Sequence, residues 1–239
     1  MQDLQFGAWV DDFLAGLWVT VYVTVLAAVA AVVVAFVLGI AVRTRHIVPR
    51  TIARIIIELF RGTSLLVQLF WFFYVLPEFG FRFDPLAVAV FAFGLNFGAY
   101  GAEVVRGAIN AVPTAQWEGS IALNLTPAQR MRRVILPQSI PLMIPPFNNL
   151  LIQLLKSTPL IFLIFLNDLT FYSDQYRNSV GNENFIFPLL LVIYFVLSYT
   201  FTLFMHVLEA RANTRLGRPV ERRRIFKYRG PQEEEAVKV

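Results

Sequence analysis

Residues 112–137 read VPTAQWEGSIALNLTPAQRMRRVILP, a polar stretch that separates two long apolar segments of the chain. Its pattern predicts a helical hairpin. The first helix covers residues 114–123 and ends at Asn124, a residue type that tolerates the left-handed conformation of a helix C-terminus. The second begins at once, because Thr126 is a good N-cap, Pro127 suits the first helical position and a glutamine follows three residues after the cap. We expect it to end near the leucine–proline pair that closes the stretch.

The composition indicates a membrane protein. Of 239 residues, 57% are hydrophobic and only 15% are charged, which excludes an ordinary soluble domain. The net charge of +5 is carried by clusters between apolar runs, and this distribution points to a membrane surface and not to nucleic acid. The chain has no cysteine, so disulfides and thiolate metal sites are excluded. The first residues lack the basic region of a cleaved signal peptide.

Five apolar segments are long enough to cross a bilayer, which takes about 20 helical residues. We therefore predict an all-α integral membrane protein with a transmembrane domain at residues 13–208. An extracytoplasmic segment is expected at residues 1–12 and a basic cytoplasmic tail at residues 209–239. The prolines between 137 and 146 predict an interfacial linker instead of a helix. The predicted spans are residues 13–42, 52–76, 85–106, 146–166 and 184–208.

The distribution of lysine and arginine predicts the orientation of these spans. Seventeen of the 21 Lys and Arg residues fall in loop 43–54, in the central loop or in the tail. The loops on the other side hold only Arg82 and Arg177. By the positive-inside rule, the N-terminus lies outside, the C-terminus is cytoplasmic and the hairpin faces the cytoplasm.

The hairpin is typical of a docking surface, and the chain shows no catalytic motif. A GxxxxGK[ST] phosphate loop is absent, because Lys156 and Ser157 follow a leucine and not a glycine. Neither His46 nor His206 has a nearby metal-ligating partner in the sequence. We predict no catalytic residue, no metal and no cofactor in this chain, and we expect another subunit to supply the energy.

The hairpin resembles the EAA loop of ABC importer permeases, whose pattern is roughly Glu-Ala-Ala, a glycine four residues later and a closing Ile/Val-x-Leu-Pro. The matching residues are Glu118, Gly119, Ser120, Asn124, Leu136 and Pro137. The residues that replace the two alanines and the glycine are small or compatible with a left-handed turn, so we expect the geometry to survive. In that family the loop forms a coupling helix that fits a cleft on the ATPase subunit. We expect Trp117 to be a packing anchor.

Four further stretches narrow the resemblance to the polar amino acid permeases of the His, Glu, Gln and Arg type. They are LAGLWVT (14–20), FRGTSLLVQ (60–68), AYGAEVVRGAI (99–109) and LLKSTPL (154–160). The family often has proline where Ser64 stands and aspartate where Ser157 stands. These two departures bear on the substrate and not on the family.

The resemblance implies a complete transport system. The fold would be the type I ABC importer permease architecture, in the bacterial cytoplasmic (inner) membrane. The partners would be membrane lipid, a second permease copy or homologue, an extracytoplasmic solute-binding protein and ATPase subunits that bind ATP and Mg. The chain itself would be a transport subunit and not an enzyme, and the solute a polar amino acid or a related small zwitterion.

Charged residues inside the spans are candidates for the translocation path. Arg61 and Lys156 each lie about ten residues into a span, which places them near the bilayer midplane at ~1.5 Å per residue. They are candidates for contact with a substrate carboxylate, because Gly62 and Pro159 interrupt these two spans and interrupted helices help to form transporter sites. Structural ion pairing is the alternative, because Glu58 and Glu103 each precede an arginine by three residues on one helix face.

Three other functions compete with the ABC permease. A transporter or channel half driven by an ion gradient explains the charges within spans but leaves the cytoplasmic hairpin without a role. A membrane-tethered DNA-binding regulator uses the hairpin, but Trp117 and Glu118 are ill suited to a surface that faces phosphates. A generic interfacial hairpin explains the apolar flanks but not the number of matched positions.

Overall fold

The computed structural model describes residues 2–180 and 183–215, and every regular element within those ranges is a helix. The α-helices are α1 (Gln2–Ala41), α2 (Ile47–Gly62), α3 (Leu65–Phe70), α4 (Pro85–Asn110), α5 (Thr114–Ala122), α6 (Pro127–Arg130), α7 (Leu136–Ser157), α8 (Leu169–Val180) and α9 (Glu183–Arg215). A π-helical turn, Trp71–Val75, and a 3₁₀ turn, Leu76–Phe79, continue α3. Another π-helical turn, Met131–Ile135, joins α6 to α7, and a 3₁₀ segment, Thr158–Ile164, follows α7. The all-α prediction is confirmed.

Four helical runs in the described chain are long and apolar enough to cross a membrane, and one bent helix pair makes a fifth. The runs are Trp9–Ala41, Pro85–Asn110, Pro127–Ile164 and Asn184–Thr214. The number of spans therefore matches the predicted five when the bent pair counts as one.

The helices at the outer ends of the chain extend beyond the predicted spans. α1 begins at Gln2, so the predicted extracytoplasmic segment is helical from that residue onward, and its side of the membrane stays a prediction. α9 continues past the predicted end at residue 208 to Arg215. The remainder of the predicted basic tail, residues 216–239, lies outside the described residues.

The predicted second span, residues 52–76, is broken after Gly62, where the sequence indicated an interruption. α2 ends at Gly62, Thr63 and Ser64 are extended, and the chain then turns by 106° into α3. α2 is amphipathic: Ala53 and Ile57 are buried, charged residues follow beside them on the helix, and the exposed Ile55 and Leu59 lie on the opposite side. A helix of this kind lies more stably against protein on one side than within lipid on all sides.

The predicted proline-rich linker and the predicted end of the second hairpin helix at Pro137 are wrong. The chain stays helical from Pro127 through Ser157, with three further prolines inside α7. In the π-helical turn, the Leu136 N–H bonds to the Met131 carbonyl, five residues back, and this wider turn makes room for the ring of Pro137. Proline within a membrane-spanning helix is tolerated because neighbouring helices and local π turns compensate.

The closest helix contact is between α1 and α4. A methyl group built at Gly98 of α4 would lie 2.6 Å from the Cβ of Val34 in α1. A methyl group at Gly94 would lie 2.8 Å from the Cβ of Ala30, and one at Gly101 would lie 2.7 Å from the Cβ of Ala35. Small residues at such an interface let two helix backbones approach closely. Within lipid the hydrophobic effect does not drive helices together, so this close packing contributes to their association.

The apolar core is centred on the α1–α4 pair and is completed by α7 and the 3₁₀ segment after it. Phe93, Leu154 and Ile161 are fully buried there. α9 contrasts with these helices, because few of its apolar side chains are buried within the single chain. Apolar exposure of this extent is expected for a face that meets lipid or another subunit.

Candidate functional site

The predicted hairpin is formed by α5, α6 and the π-helical turn after α6, and residues 114–135 are called the docking hairpin below. Asn124 has φ 52°, the left-handed conformation predicted for it. Its N–H donates to the Ile121 carbonyl at 2.8 Å, and the Leu125 N–H donates to the Ser120 carbonyl at 3.1 Å. These two bonds form a Schellman motif, which satisfies carbonyls at the end of α5. The predicted turn is confirmed.

The start of α6 is closed by a capping box. The Gln129 N–H donates to the Thr126 hydroxyl at 3.3 Å, and the Thr126 N–H donates to the Gln129 side-chain oxygen at 3.0 Å. Pro127 occupies the first helical position, where its missing N–H leaves no bond unmade. The two short helices therefore meet through local bonds at a turn of defined geometry.

The six residues matched to the EAA loop divide into an exposed group and a packed group. Glu118, Gly119 and Asn124 are exposed. Ser120 is buried, with its hydroxyl donating to the Trp117 carbonyl at 2.6 Å. Leu136 and Pro137 are half-buried at the start of α7. The exposed group can contact a partner, whereas the packed group positions the hairpin.

Two apolar side chains extend the exposed surface of the hairpin. Ile121 is 54% exposed and Leu123 is 75% exposed, beside Glu118 and Gly119 on α5 and the turn after it. No role was predicted for either of them from the sequence. Their role could have been predicted from the sequence, because two large aliphatic residues on a short polar loop imply a surface that a partner covers.

The hairpin is anchored to the bundle through Trp117. This ring packs against a cluster that includes the buried Ile109 and Val112, at the end of α4 and just after it, and Ile135, just before α7. Its predicted role as a packing anchor therefore agrees with its surroundings. A side-chain hydrogen bond of 3.0 Å from Gln138 to Gln116 adds a second link between α7 and α5.

Glu58 and Glu103 form the i,i+3 ion pairs that were the alternative to substrate contact. Arg61 lies 4.0 Å from Glu58, whose side chain is 77% exposed. The Arg106 Nε donates to a Glu103 carboxylate oxygen at 2.9 Å. The two pairs are on different helices, α2 and α4.

Arg61 also contacts α4 through Tyr100. Its guanidinium lies 5.4 Å from the centre of the Tyr100 ring, and the Tyr100 hydroxyl donates to the Arg61 carbonyl at 3.2 Å. Lys156, near the end of α7, is exposed and joins neither ion pair. The structure therefore groups Arg61 with Glu58 and Tyr100, and contact of Arg61 or Lys156 with substrate stays a prediction.

A buried amide network holds the break between α2 and α3. The Phe60 carbonyl, freed by the break, accepts from the side-chain amides of Gln68 and Asn96, each at 2.9 Å. The Asn96 amide also donates to the Gln68 oxygen at 3.1 Å. Gln68 further bonds Thr63, so the extended residues are tied to both helices and to α4. This role of Asn96 was not predicted, although a buried amide in an apolar span is a recognisable signal.

Asp168, between the 3₁₀ segment and α8, is fully buried outside the candidate spans. One carboxylate oxygen accepts from the Phe171 N–H at 2.9 Å and caps α8, whereas the other has no hydrogen-bond partner. Burial raises the pKa of Asp168 to about 6, although hydrogen bonds from nearby backbone groups oppose the rise. No role was predicted for this residue from the sequence.

Within the described residues, no group of three or more His, Asp or Glu side chains is arranged to hold a metal ion. The candidate site therefore consists of a docking hairpin, charged pairs on α2 and α4, and a broken helix held by amides. Such parts can bind a partner and change conformation.

Sequence and structure comparisons find similar proteins over most of the chain. Residues 27–214 match the family described as the inner membrane component of binding-protein-dependent transport systems. A probable amino-acid ABC transporter permease protein of Sinorhizobium fredii (strain NBRC 101917 / NGR234) is 42% identical over 201 residues, covering 82% of this chain and 84% of the relative. An L-cystine transport system permease protein of Bacillus subtilis (strain 168) is 38% identical over 167 residues, covering 68% of this chain and 70% of the relative.

Solved structures show the same similarity in three dimensions. A chain from the crystal structure of an amino acid ABC transporter with histidines superposes with a TM-score of 0.78 at 32% sequence identity, covering 87% of this chain and 97% of that one. A chain of the MetNI methionine ABC transporter in an inward-facing conformation superposes with a TM-score of 0.72 at 19% identity, covering 84% and 96%. The second similarity is one of fold alone.

Proposed function

The chain belongs to the family of inner membrane components of binding-protein-dependent transport systems, and from that membership we propose that it is the permease subunit of an ATP-driven importer. The solute is a polar amino acid or a related small zwitterion. Relatives described as amino-acid and L-cystine permeases support this solute class. The family membership argues against the ion-gradient-driven transporter and the DNA-binding regulator, because neither is a component of such a system.

The observation that carries the proposal is the docking hairpin. Glu118, Ile121 and Leu123 form an exposed surface on a short helix whose end is set by a Schellman motif and whose base is anchored by Trp117. A surface that is both exposed and rigid suits a protein partner better than it suits lipid or water. We assign it to an ATPase subunit, which binds ATP and Mg and moves the hairpin during hydrolysis.

The translocation path is assigned to the charged and polar groups around the bent helix pair. Arg61, with Glu58, Glu103 and Lys156, supplies charges of both signs on α2, α4 and α7, which suits a solute that carries both an ammonium and a carboxylate. Broken helices are typical of transporter binding sites. A second copy or a homologue of the chain would complete the path, and an extracytoplasmic binding protein would deliver the solute.

The proposed setting is the bacterial cytoplasmic membrane, with the N-terminus outside and the hairpin in the cytoplasm. The excess of Lys and Arg in the loops next to the hairpin supports this orientation. Spans of the observed number and length support a multi-pass protein.

Purification of the chain with its neighbouring subunits tests ATPase docking. We expect an ATPase to co-purify, and we expect Glu118→Lys or Leu123→Asp to weaken its retention about tenfold, a typical loss for a charge placed wrongly in an interface core. Glu78→Lys is the matched control, because Glu78 is equally exposed but lies in the 3₁₀ turn after α3. An absent ATPase, or retention unaffected by both hairpin variants, would overturn the assignment.

Transport by assembled complexes tests the translocation path. We expect Arg61→Met and Lys156→Met to raise the solute concentration at half-maximal uptake, because each removes a charge that would meet the solute. Arg82→Met is the control, since Arg82 is an exposed cation in the loop between α3 and α4. Unchanged solute affinity in both path variants would assign Arg61 and Lys156 to structure alone.

A further inference from the structure

Arg43 lies in the turn after α1 and contacts two other elements. Its guanidinium carbon lies 5.7 Å from the centre of the Trp117 ring in α5, within the range of a cation–π interaction. Its Nη1 also donates a hydrogen bond to the side-chain oxygen of Asn110, the last residue of α4. One side chain therefore joins the ends of α1 and α4 to the docking hairpin.

The position favours arginine over lysine. A planar guanidinium can face an aromatic ring and donate a hydrogen bond in its own plane at the same time, whereas an ammonium cannot do both with fixed geometry. Burial lowers the pKa of Arg43 below its ordinary value, and the nearby Arg106 lowers it further. The cation stays charged because arginine loses its proton only at very high pH, and Glu103 offsets the charge of Arg106.

The cation also lies where two helices end. The C-terminus of a helix carries partial negative charge, and both α1 and α4 end within a few residues of the Arg43 contacts. This field stabilises a cation at the position and helps to offset its partial burial. The contact is therefore a built feature of the fold and not a chance approach of a mobile surface side chain.

The remaining anchor of the hairpin does not depend on the Arg43 contact. Trp117 packs on Ile109 and Val112 at the end of α4 and on Ile135 before α7. Arg43 adds the end of α1 to this anchor. Because α1 and α4 are in close contact at Gly98, a force applied through Arg43 acts on two helices that are packed directly against each other.

We propose that Arg43 is a positioning residue that ties the docking hairpin to the α1–α4 pair and so passes hairpin movement to the membrane bundle. This inference rests on the proposed function, in which an ATPase moves the hairpin. Without the contact, the hairpin can tilt about Trp117 while α1 stays in place, and ATP is then consumed with less solute moved.

Hydrogen exchange of the purified chain tests the contact itself. Arg43→Gln removes the charge, and we expect amide exchange in α5 to become about three- to tenfold faster, as the loss of one partly buried cation–π contact implies. Arg45→Gln is the matched control, because Arg45 is an exposed arginine two residues along the same turn. Equal exchange in the wild type and in Arg43→Gln overturns the proposal, whatever the ATPase experiments show.

The ratio of ATP hydrolysed to solute taken up tests the role in coupling. In proteoliposomes that hold the co-purified complex, we expect Arg43→Gln to raise this ratio about fivefold or more, in the range of allosteric coupling energies. Arg43→Lys is expected to give an intermediate ratio, and Arg45→Gln an unchanged one. A proportional fall of hydrolysis and uptake in Arg43→Gln would show a merely structural role and overturn the proposal. A wild-type complex that neither hydrolyses ATP nor takes up solute would instead overturn the proposed function, and the exchange result would still decide whether Arg43 holds the hairpin.

Discussion

Replacement of Gly98 by alanine tests whether the close α1–α4 contact determines the stability of the bundle. A methyl group at Gly98 would lie 2.6 Å from both Cβ and Cγ1 of Val34 and 3.1 Å from the Ala31 carbonyl oxygen. Ordinary van der Waals contact begins at 3.4 Å, so the two helices would have to move apart or Val34 would have to leave its position. Gly107, on the same helix, provides the matched control, because a methyl group there meets nothing within 4 Å.

The expected effects of the two substitutions have opposite signs. Alanine is favoured over glycine inside a helix by about 1 kcal/mol, and this gain applies at both positions. Overpacking costs about 1–3 kcal/mol in a close-packed site, and we expect about 2–3 kcal/mol at Gly98 because the added methyl group would lie only 2.6 Å from Val34. We expect a net loss of about 1–2 kcal/mol for Gly98→Ala and a gain of about 0.5–1 kcal/mol for Gly107→Ala.

Thermal unfolding in one detergent, followed by tryptophan fluorescence, compares the variants. A chain of this length shifts its unfolding midpoint by about 2–4 °C per kcal/mol, so Gly107→Ala should unfold about 3–12 °C above Gly98→Ala. Equal or higher stability of Gly98→Ala relative to the wild type would refute the argument, because the α1–α4 distance would then not be limited by the absent side chain. A loss at Gly107 as large as the loss at Gly98 would refute it as well.

Three further predictions concern the turn, the buried carboxyl and the amide network. Asn124→Gly should preserve coupling, whereas Asn124→Val should cost about 1–2 kcal/mol at φ 52° and raise the ATP hydrolysed per solute, measured in proteoliposomes. Asp168 has a pKa raised from 3.8 to about 6, so folding favours its protonated form. Its contribution to the free energy of unfolding should therefore be complete below about pH 4 and be lost as the pH rises through 6. Asp168→Asn should therefore unfold with the wild type near pH 4 but be more stable by about 3 kcal/mol at pH 7.5, and parallel pH curves would contradict this. Asn96→Leu should lower the free energy of unfolding by about 1–3 kcal/mol, because the Phe60 carbonyl and the Gln68 side-chain oxygen each lose a hydrogen-bond donor. Asn148→Leu is the control in the same thermal assay. It should change the free energy of unfolding less, because the Asn148 side-chain oxygen has no hydrogen-bond partner in the described chain.

The structural features that were predicted correctly depend on interactions between residues that are close together in the sequence. The left-handed Asn124, the capping box at Thr126 and the pairs Glu58–Arg61 and Glu103–Arg106 each involve residues no more than a few positions apart. Bonds at this range form whenever the local helix or turn forms, so residue type and spacing are sufficient to anticipate them.

The size of the bend at Gly62 was not predicted, and the linker predicted within α7 was wrong, because contacts between distant residues act at both places. The sequence around Gly62 marks an interruption, but the 106° turn depends on donors that reach Phe60 from Gln68 and from Asn96, which is 36 residues away. The proline rule failed in α7 because its penalty of about 3 kcal/mol applies to an isolated helix. The π-helical turn before Pro137 and the packing of neighbouring helices offset that penalty.

By itself, the sequence determined the membrane class, the number of spans and the docking hairpin, because hydrophobic length, charge bias and capping residues act over one helix at a time. Only the tertiary structure decided which side chains meet across helices. Arg43 reaches Asn110 over 67 positions, and Gly98 faces Val34 because two separate helices pack at one register. Such contacts are chosen by the packing of the whole bundle, in which each close approach must be compatible with all the others.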